Sequence, residues 1–113
     1  MKNILEGTDN IYADLGFPDA QEMRVKAQLA TTISDIITAR KLTQQQAAEI
    51  VGMTQPKLSQ LLNGHFRGIS EAKMMDCLAR LGRDVRIIIG QDRPRRRNPA
   101  RIEVLQEAAL ASA

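Results

Sequence analysis

Residues 44–63 read QQQAAEIVGMTQPKLSQLLN, which is two short helical patterns separated by a glycine. Ala48 is small where two helices would cross closely, and Gly52 stands at the bend, where a positive φ costs a glycine little. Apolar residues on both sides would hold the two helices at a fixed angle; these are Val51, Met53, Leu58 and Leu61. Small, glycine and apolar residues at these spacings together predict a helix-turn-helix.

Further helices are predicted on both sides of this unit. Ile33 and Ile36 belong to an apolar stripe at helical spacing, within a pattern that starts at Asp19 and ends near Lys41. Asp19 and Glu22 fit a variant of the capping box, in which side chains satisfy the amides of the first turn. N-cap residues mark the starts of the next three helices: Thr43 (in a capping box with Gln46), Thr54 and Ser70.

Alternating apolar residues predict a short strand after these helices. The positions on one face of that strand are Val85, Ile87 and Ile89. Because a lone strand leaves its backbone groups without partners, we expect it to pair with the same strand of a second copy in a two-fold dimer. Asn98 and Pro99 indicate a last helix running to about Leu110.

The chain therefore divides into four regions. Residues 1–18 are an N-terminal extension, and residues 19–82 are the helix-turn-helix domain. Residues 83–92 hold the strand, and residues 93–113 are an Arg-rich linker followed by a C-terminal helix. The expected fold class is mostly α, with about five helices and one short C-terminal strand.

The outward face of the second helix of the pair carries polar side chains that suit DNA. We expect four residues to contact bases in the major groove: Gln55, Pro56, Ser59 and Gln60. A glutamine amide matches N6 and N7 of adenine, and proline offers apolar contact to a thymine methyl group. We expect four others to contact phosphates: Gln44, Lys57, Asn63 and Arg67. For each of these side chains, simple solvation on an exposed helix remains the alternative.

Composition excludes several other classes of function. The chain has 113 residues and a net charge of +3, with one His, one Cys and 3% aromatic residues. Too few aromatics are present for a single-strand stacking platform, and no nucleophile–base pair or metal-ligand set has recognisable spacing. We therefore expect no catalytic residue, metal, cofactor or small-molecule substrate. No apolar run is long enough to span a membrane and no signal core stands at the start, so we expect a cytoplasmic protein.

The sequence resembles the Xre/Cro family, which has the lambda-repressor-like fold. The resemblance covers roughly residues 24–82 and is carried by the runs LTQ at 42–44, VGMTQ at 51–55 and LSQLLNG at 58–64. The flanking runs NIYADLGF at 10–17, FRGIS at 66–70 and LGRDV at 81–85 are similar to those of HigA-like antitoxins encoded beside RelE/HigB-type toxins. Residues 93–113 form a longer tail than the family leads us to expect.

The resemblance implies a homodimeric, autorepressing regulator that binds double-stranded operator DNA and a toxin protein. Each copy would insert residues 54–63 into a major groove, with half-sites about 34 Å apart or a multiple of that. Residues 1–22 carry five acidic residues and one lysine, a composition that suits a basic toxin. Two alternatives remain: a stand-alone Xre-type repressor without a toxin, and a protein-interaction module that has lost DNA binding.

Overall fold

Hydroxyl side chains begin three of the four helices in the part of the chain that the structure describes. The computed structural model describes residues 19–92 and 101–107. Its helices are α1 (Ala20–Ala39), α2 (Gln44–Val51), α3 (Gln55–Leu62) and α4 (Glu71–Arg80). The predicted N-caps of α2, α3 and α4 are confirmed, because each side-chain oxygen accepts a backbone N–H three residues later; the caps are Thr43, Thr54 and Ser70. At Thr43 the full capping box forms, with Gln46 Oε1 accepting from the Thr43 N–H at 2.9 Å.

The capping box predicted at the start of α1 is wrong. Asp19 directly precedes the helix, but its carboxylate caps no amide and instead pairs with the guanidinium of Arg67. Glu22 pairs with Lys26 at 3.0 Å. Both carboxylates therefore form ion pairs with nearby cations. These cations compete with the first-turn amides for the carboxylate oxygens. The helix also ends at Ala39, slightly before the predicted end near Lys41.

The core lies where all four helices meet. Helix α1 packs against α3 and α4, and α2 packs against α3 and α4. The largest side chains with less than 2% exposure come from every helix and from the residue after α4: Ile33, Val51, Leu58, Leu61, Met74, Cys77 and Leu81. Burial of this apolar surface holds the pair α2–α3 against the two other helices.

The region after α4 has no regular structure in the described residues. Residues 83–92 form neither helix nor strand, and Ile87, Ile88 and Ile89 are 77%, 82% and 88% exposed. The predicted strand is therefore not formed within one chain, which offers it no neighbouring strand to bond. No helix in the described part of the chain is long and apolar enough to cross a membrane.

The predicted last helix is wrong over the residues in which it can be followed. Residues 101–107 are not helical, and Val104 packs against the core. The Ile102 N–H donates to Gln21 Oε1 at 2.8 Å, and Gln106 Nε2 donates to Thr32 Oγ1 at 2.8 Å. These contacts tie the segment along α1, and a short helix is marginal by itself. The N-terminal extension, the Arg-rich linker and both ends of the predicted helix lie outside the described residues.

Candidate nucleic-acid interface

The bend between α2 and α3 is built on Gly52. This residue has φ +73°, in the left-handed region that favours glycine. The N–H groups of Gly52 and Met53 both donate to the carbonyl of Ala48, at 2.9 and 3.1 Å. The predicted helix-turn-helix thus forms with its glycine at the turn.

Buried apolar contacts fix the angle between α2 and α3. The predicted packing residues Ala48, Val51, Leu58 and Leu61 are all buried, and Met53 is partly buried against the core. Ala47 is fully buried as well, although the sequence pattern did not single it out. Its spacing of four residues from Val51 was the available signal, since residues i and i+4 share a helix face. Helix α3 is therefore held at a fixed angle against α2 and the core.

Helix α3 exposes the face opposite its buried leucines. Gln55, Pro56 and Gln60 are exposed, and Ser59 is half-buried. In the described part of the chain, no protein group is recorded as holding the side-chain amide of Gln55 or Gln60. Both amides are thus available to an outside partner, and eight residues make α3 about 12 Å long, the scale of a major groove.

The predicted phosphate contacts fall into two groups. Gln44 is the first residue of α2, where an uncapped backbone amide can attract an anion. Lys57 lies in the first turn of α3; its backbone N–H is capped by Thr54, and its side chain is exposed. Asn63 is differently engaged, because its Nδ2 donates to the carbonyl oxygen of Ser59 at 2.9 Å and more weakly to its hydroxyl at 3.3 Å. Arg67 is exposed in the loop after α3 but is ion-paired with Asp19. The first group therefore lies at helix starts, whereas Asn63 and Arg67 are already engaged by other groups of the protein.

Lys26 is an important residue that the sequence analysis missed. It is 3% exposed, and its Nζ donates to the carbonyl oxygen of Arg67 at 2.8 Å while pairing with Glu22 at 3.0 Å. Lys26 precedes Ile33 by seven residues, so its place on the buried stripe of α1 was a readable signal. The lysine anchors the loop between α3 and α4 to α1.

Cys77 is buried in the core beside Met53, with 3.7 Å between the two sulfur atoms. Burial raises the pKa of the Cys77 thiol, since a thiolate would lose its hydration there. The residue therefore packs as a small apolar group. Among the described residues, no group of three His, Cys, Asp or Glu side chains could hold a metal ion.

Comparisons with known proteins agree with this geometry. A family model described as a helix-turn-helix domain matches residues 11–90. A solved structure provisionally named an XRE family transcriptional regulator is 39% identical, and the match covers 80% of this chain and 100% of that chain with a TM-score of 0.72. No functionally curated protein matches the chain significantly. The family model spans most of the chain, and the solved relative is matched along its whole length. The chain therefore belongs to the XRE family of helix-turn-helix proteins.

Proposed function

We propose that this protein is a transcriptional regulator that binds double-stranded operator DNA by sequence. The observation that carries this proposal is the exposed polar face of α3, held rigidly by a buried helix-turn-helix. The similar solved structure is also named a transcriptional regulator, which supports the same function. Helix α3 would enter the major groove, and the first turn of α2 would lie on the backbone.

Within this proposal the side chains divide into two roles. Gln55 and Gln60 read base edges, assisted by Pro56 and Ser59, while Gln44 and Lys57 bind phosphates. Arg67 contacts a phosphate only after it leaves Asp19. Asn63 has a smaller role as a phosphate ligand, because its amide already bonds the last turn of α3.

Charge indicates how the affinity arises. Residues 42–82 carry four Lys or Arg and three acidic residues, so the helix-turn-helix itself is nearly neutral. Residues 83–113 carry seven arginines and four acidic residues. Sequence choice therefore comes from the α3 face, and part of the phosphate attraction comes from the C-terminal region.

The direct experiment compares two duplexes. One carries the DNA upstream of this protein's own gene, and the other has a mixed sequence of equal length. We expect tighter binding to the first and a fall in affinity with salt for both, because phosphate contacts release counterions. Absence of binding to either duplex at low salt would contradict the proposal and favour a protein-interaction module.

We also propose that residues 85–89 pair with the same residues of a second copy to form a homodimer. Ile87 and Ile89 are extensively exposed and Val85 is 39% exposed, an apolar row that a partner strand would cover. A two-fold dimer would place two α3 helices on successive turns of one DNA face.

Ile87→Asp is expected to weaken the dimer about ten-fold or more. Each dimer would lose two buried isoleucines and gain two carboxylates at the pairing site. Sedimentation velocity over a concentration series measures the monomer–dimer equilibrium. Ile102→Asp is the matched control, since Ile102 is an exposed isoleucine outside this segment. Equal dimerisation of both variants and the unaltered protein would refute strand pairing.

The finer biological role that we propose is an autorepressing antitoxin. The resemblance to HigA-like antitoxins supports it, and so does the acidic composition of residues 1–22. A basic toxin encoded by a neighbouring gene would be the partner. A stand-alone repressor is the alternative, and the absence of such a neighbour would favour it.

Removal of residues 1–17 is expected to weaken toxin capture and spare DNA binding. The deletion takes three of the five acidic residues of segment 1–22, yet α1 begins only at Ala20 and remains whole. Titration of the purified neighbouring protein against both forms, together with the duplex titration, checks this. Full capture by the shortened protein would show that the toxin binds another surface.

A further inference from the structure

Arg67 is held to α1 by two independent contacts. Its carbonyl oxygen accepts a hydrogen bond from the ammonium group of Lys26 at 2.8 Å, and its guanidinium forms an ion pair with the carboxylate of Asp19. The side chain of Lys26 is only 3% exposed, whereas the side chains of Arg67 and Asp19 are 59% and 28% exposed. The backbone of the loop is therefore fixed more firmly than the arginine side chain.

We infer that Asp19 competes with a DNA phosphate for the guanidinium of Arg67. Asp19 thereby sets how tightly the protein binds DNA of any sequence. The inference rests on the proposed DNA-binding function. A carboxylate and a phosphate present the same paired oxygens to a guanidinium, so either can occupy it. Because Lys26 holds the Arg67 carbonyl, exchange requires only a change of side-chain rotamer.

The surroundings of Asp19 agree with this role. As the residue before α1 it could cap the helix, but its carboxylate makes no cap hydrogen bond. Its charge lies beside the loop that follows α3, where it faces the guanidinium of Arg67. Exposed ion pairs are weak, so a polyanion can displace this one. Asp19 thereby limits nonspecific binding without touching DNA.

Asp19→Asn is expected to bind a mixed-sequence duplex about two- to five-fold more tightly at low salt. The Asp19 carboxylate makes no cap hydrogen bond that the substitution could remove, and asparagine is favoured at N-caps, so α1 should keep its stability; a thermal melt checks this. Asp35→Asn is the matched control, because Asp35 is exposed on the same helix and the substitution makes the same change in net charge. A gain specific to Asp19→Asn supports the inference.

The same pair of variants is then made with Arg67→Ala. Arg67→Ala alone should weaken binding to the mixed-sequence duplex and make the salt dependence shallower. In the Arg67→Ala protein, Asp19→Asn should raise the affinity for the mixed-sequence duplex no more than Asp35→Asn does. Equal gains for the two asparagine variants with Arg67 present, or an undiminished Asp19→Asn gain without Arg67, would overturn the inference. Failure of the unaltered protein to bind duplex DNA at all would instead overturn the proposed function, and the inference with it.

Discussion

Leu58→Ala is expected to lower the free energy of unfolding by about 3 kcal/mol, within the roughly 2–5 kcal/mol typical of buried leucines. Leu58 is fully buried at the junction of α3 with the rest of the core. Its truncation removes apolar contacts and leaves a cavity where rigid helices cannot collapse fully. Since small domains have about 5–15 kcal/mol in all, this is a large fraction of the total. Urea unfolding followed by circular dichroism measures the loss.

Leu62→Ala is the matched control for this prediction. It makes the same substitution in the same helix, but Leu62 is only partly buried against the core. We expect it to lower the free energy of unfolding by about 1 kcal/mol, because Leu62 buries less apolar surface on folding than Leu58 does. An equal loss for both variants, or a smaller one for Leu58→Ala, would show that α3 is not anchored through Leu58. Protein concentration is held constant in both titrations, because dimerisation would shift the midpoint.

The helix starts could be read from the sequence because capping acts over very few residues. Thr43, Thr54 and Ser70 each bond an amide three residues ahead, so their partners are fixed by the local chain alone. Gly52 likewise follows from a local need for positive φ. Residues 101–107 were misread because their partners on α1 lie 81 and 74 residues away. The start signals at Asn98 and Pro99 carry no information about such contacts.

The same difference between local and long-range contacts applies to the candidate site. The exposed face of α3 follows from the positions of Leu58 and Leu61, since the side opposite two buried leucines must face outward. The pairing of Arg67 with Asp19 spans 48 residues, and that with Lys26 spans 41. Both depend on how α1 crosses the loop after α3, which is a tertiary property. Side-chain type therefore predicts the candidate DNA contacts, and only the fold revealed what restrains Arg67.

Gln55→Ala is expected to reduce the preference for one operator base pair by about 1–3 kcal/mol, or roughly five- to 150-fold. Gln55 is the first residue of α3 and is exposed, so alanine costs the fold little. The lost amide would leave the base edge without its paired donor and acceptor. Competition binding with operators substituted at each position measures the preference, once the operator has been located in the upstream DNA.

Gln45→Ala is the control, because Gln45 is an exposed glutamine in the first turn of α2 with no proposed base contact. Gln60→Ala gives a second comparison, since five residues of helix place Gln60 about 7.5 Å beyond Gln55, more than two base-pair steps of about 3.4 Å. The two glutamine variants should therefore relax preference at different positions, while binding to mixed-sequence duplex stays nearly constant. If Gln55→Ala weakened specific and mixed-sequence binding by the same factor, Gln55 would be a phosphate or structural contact and α3 would read its operator through other side chains.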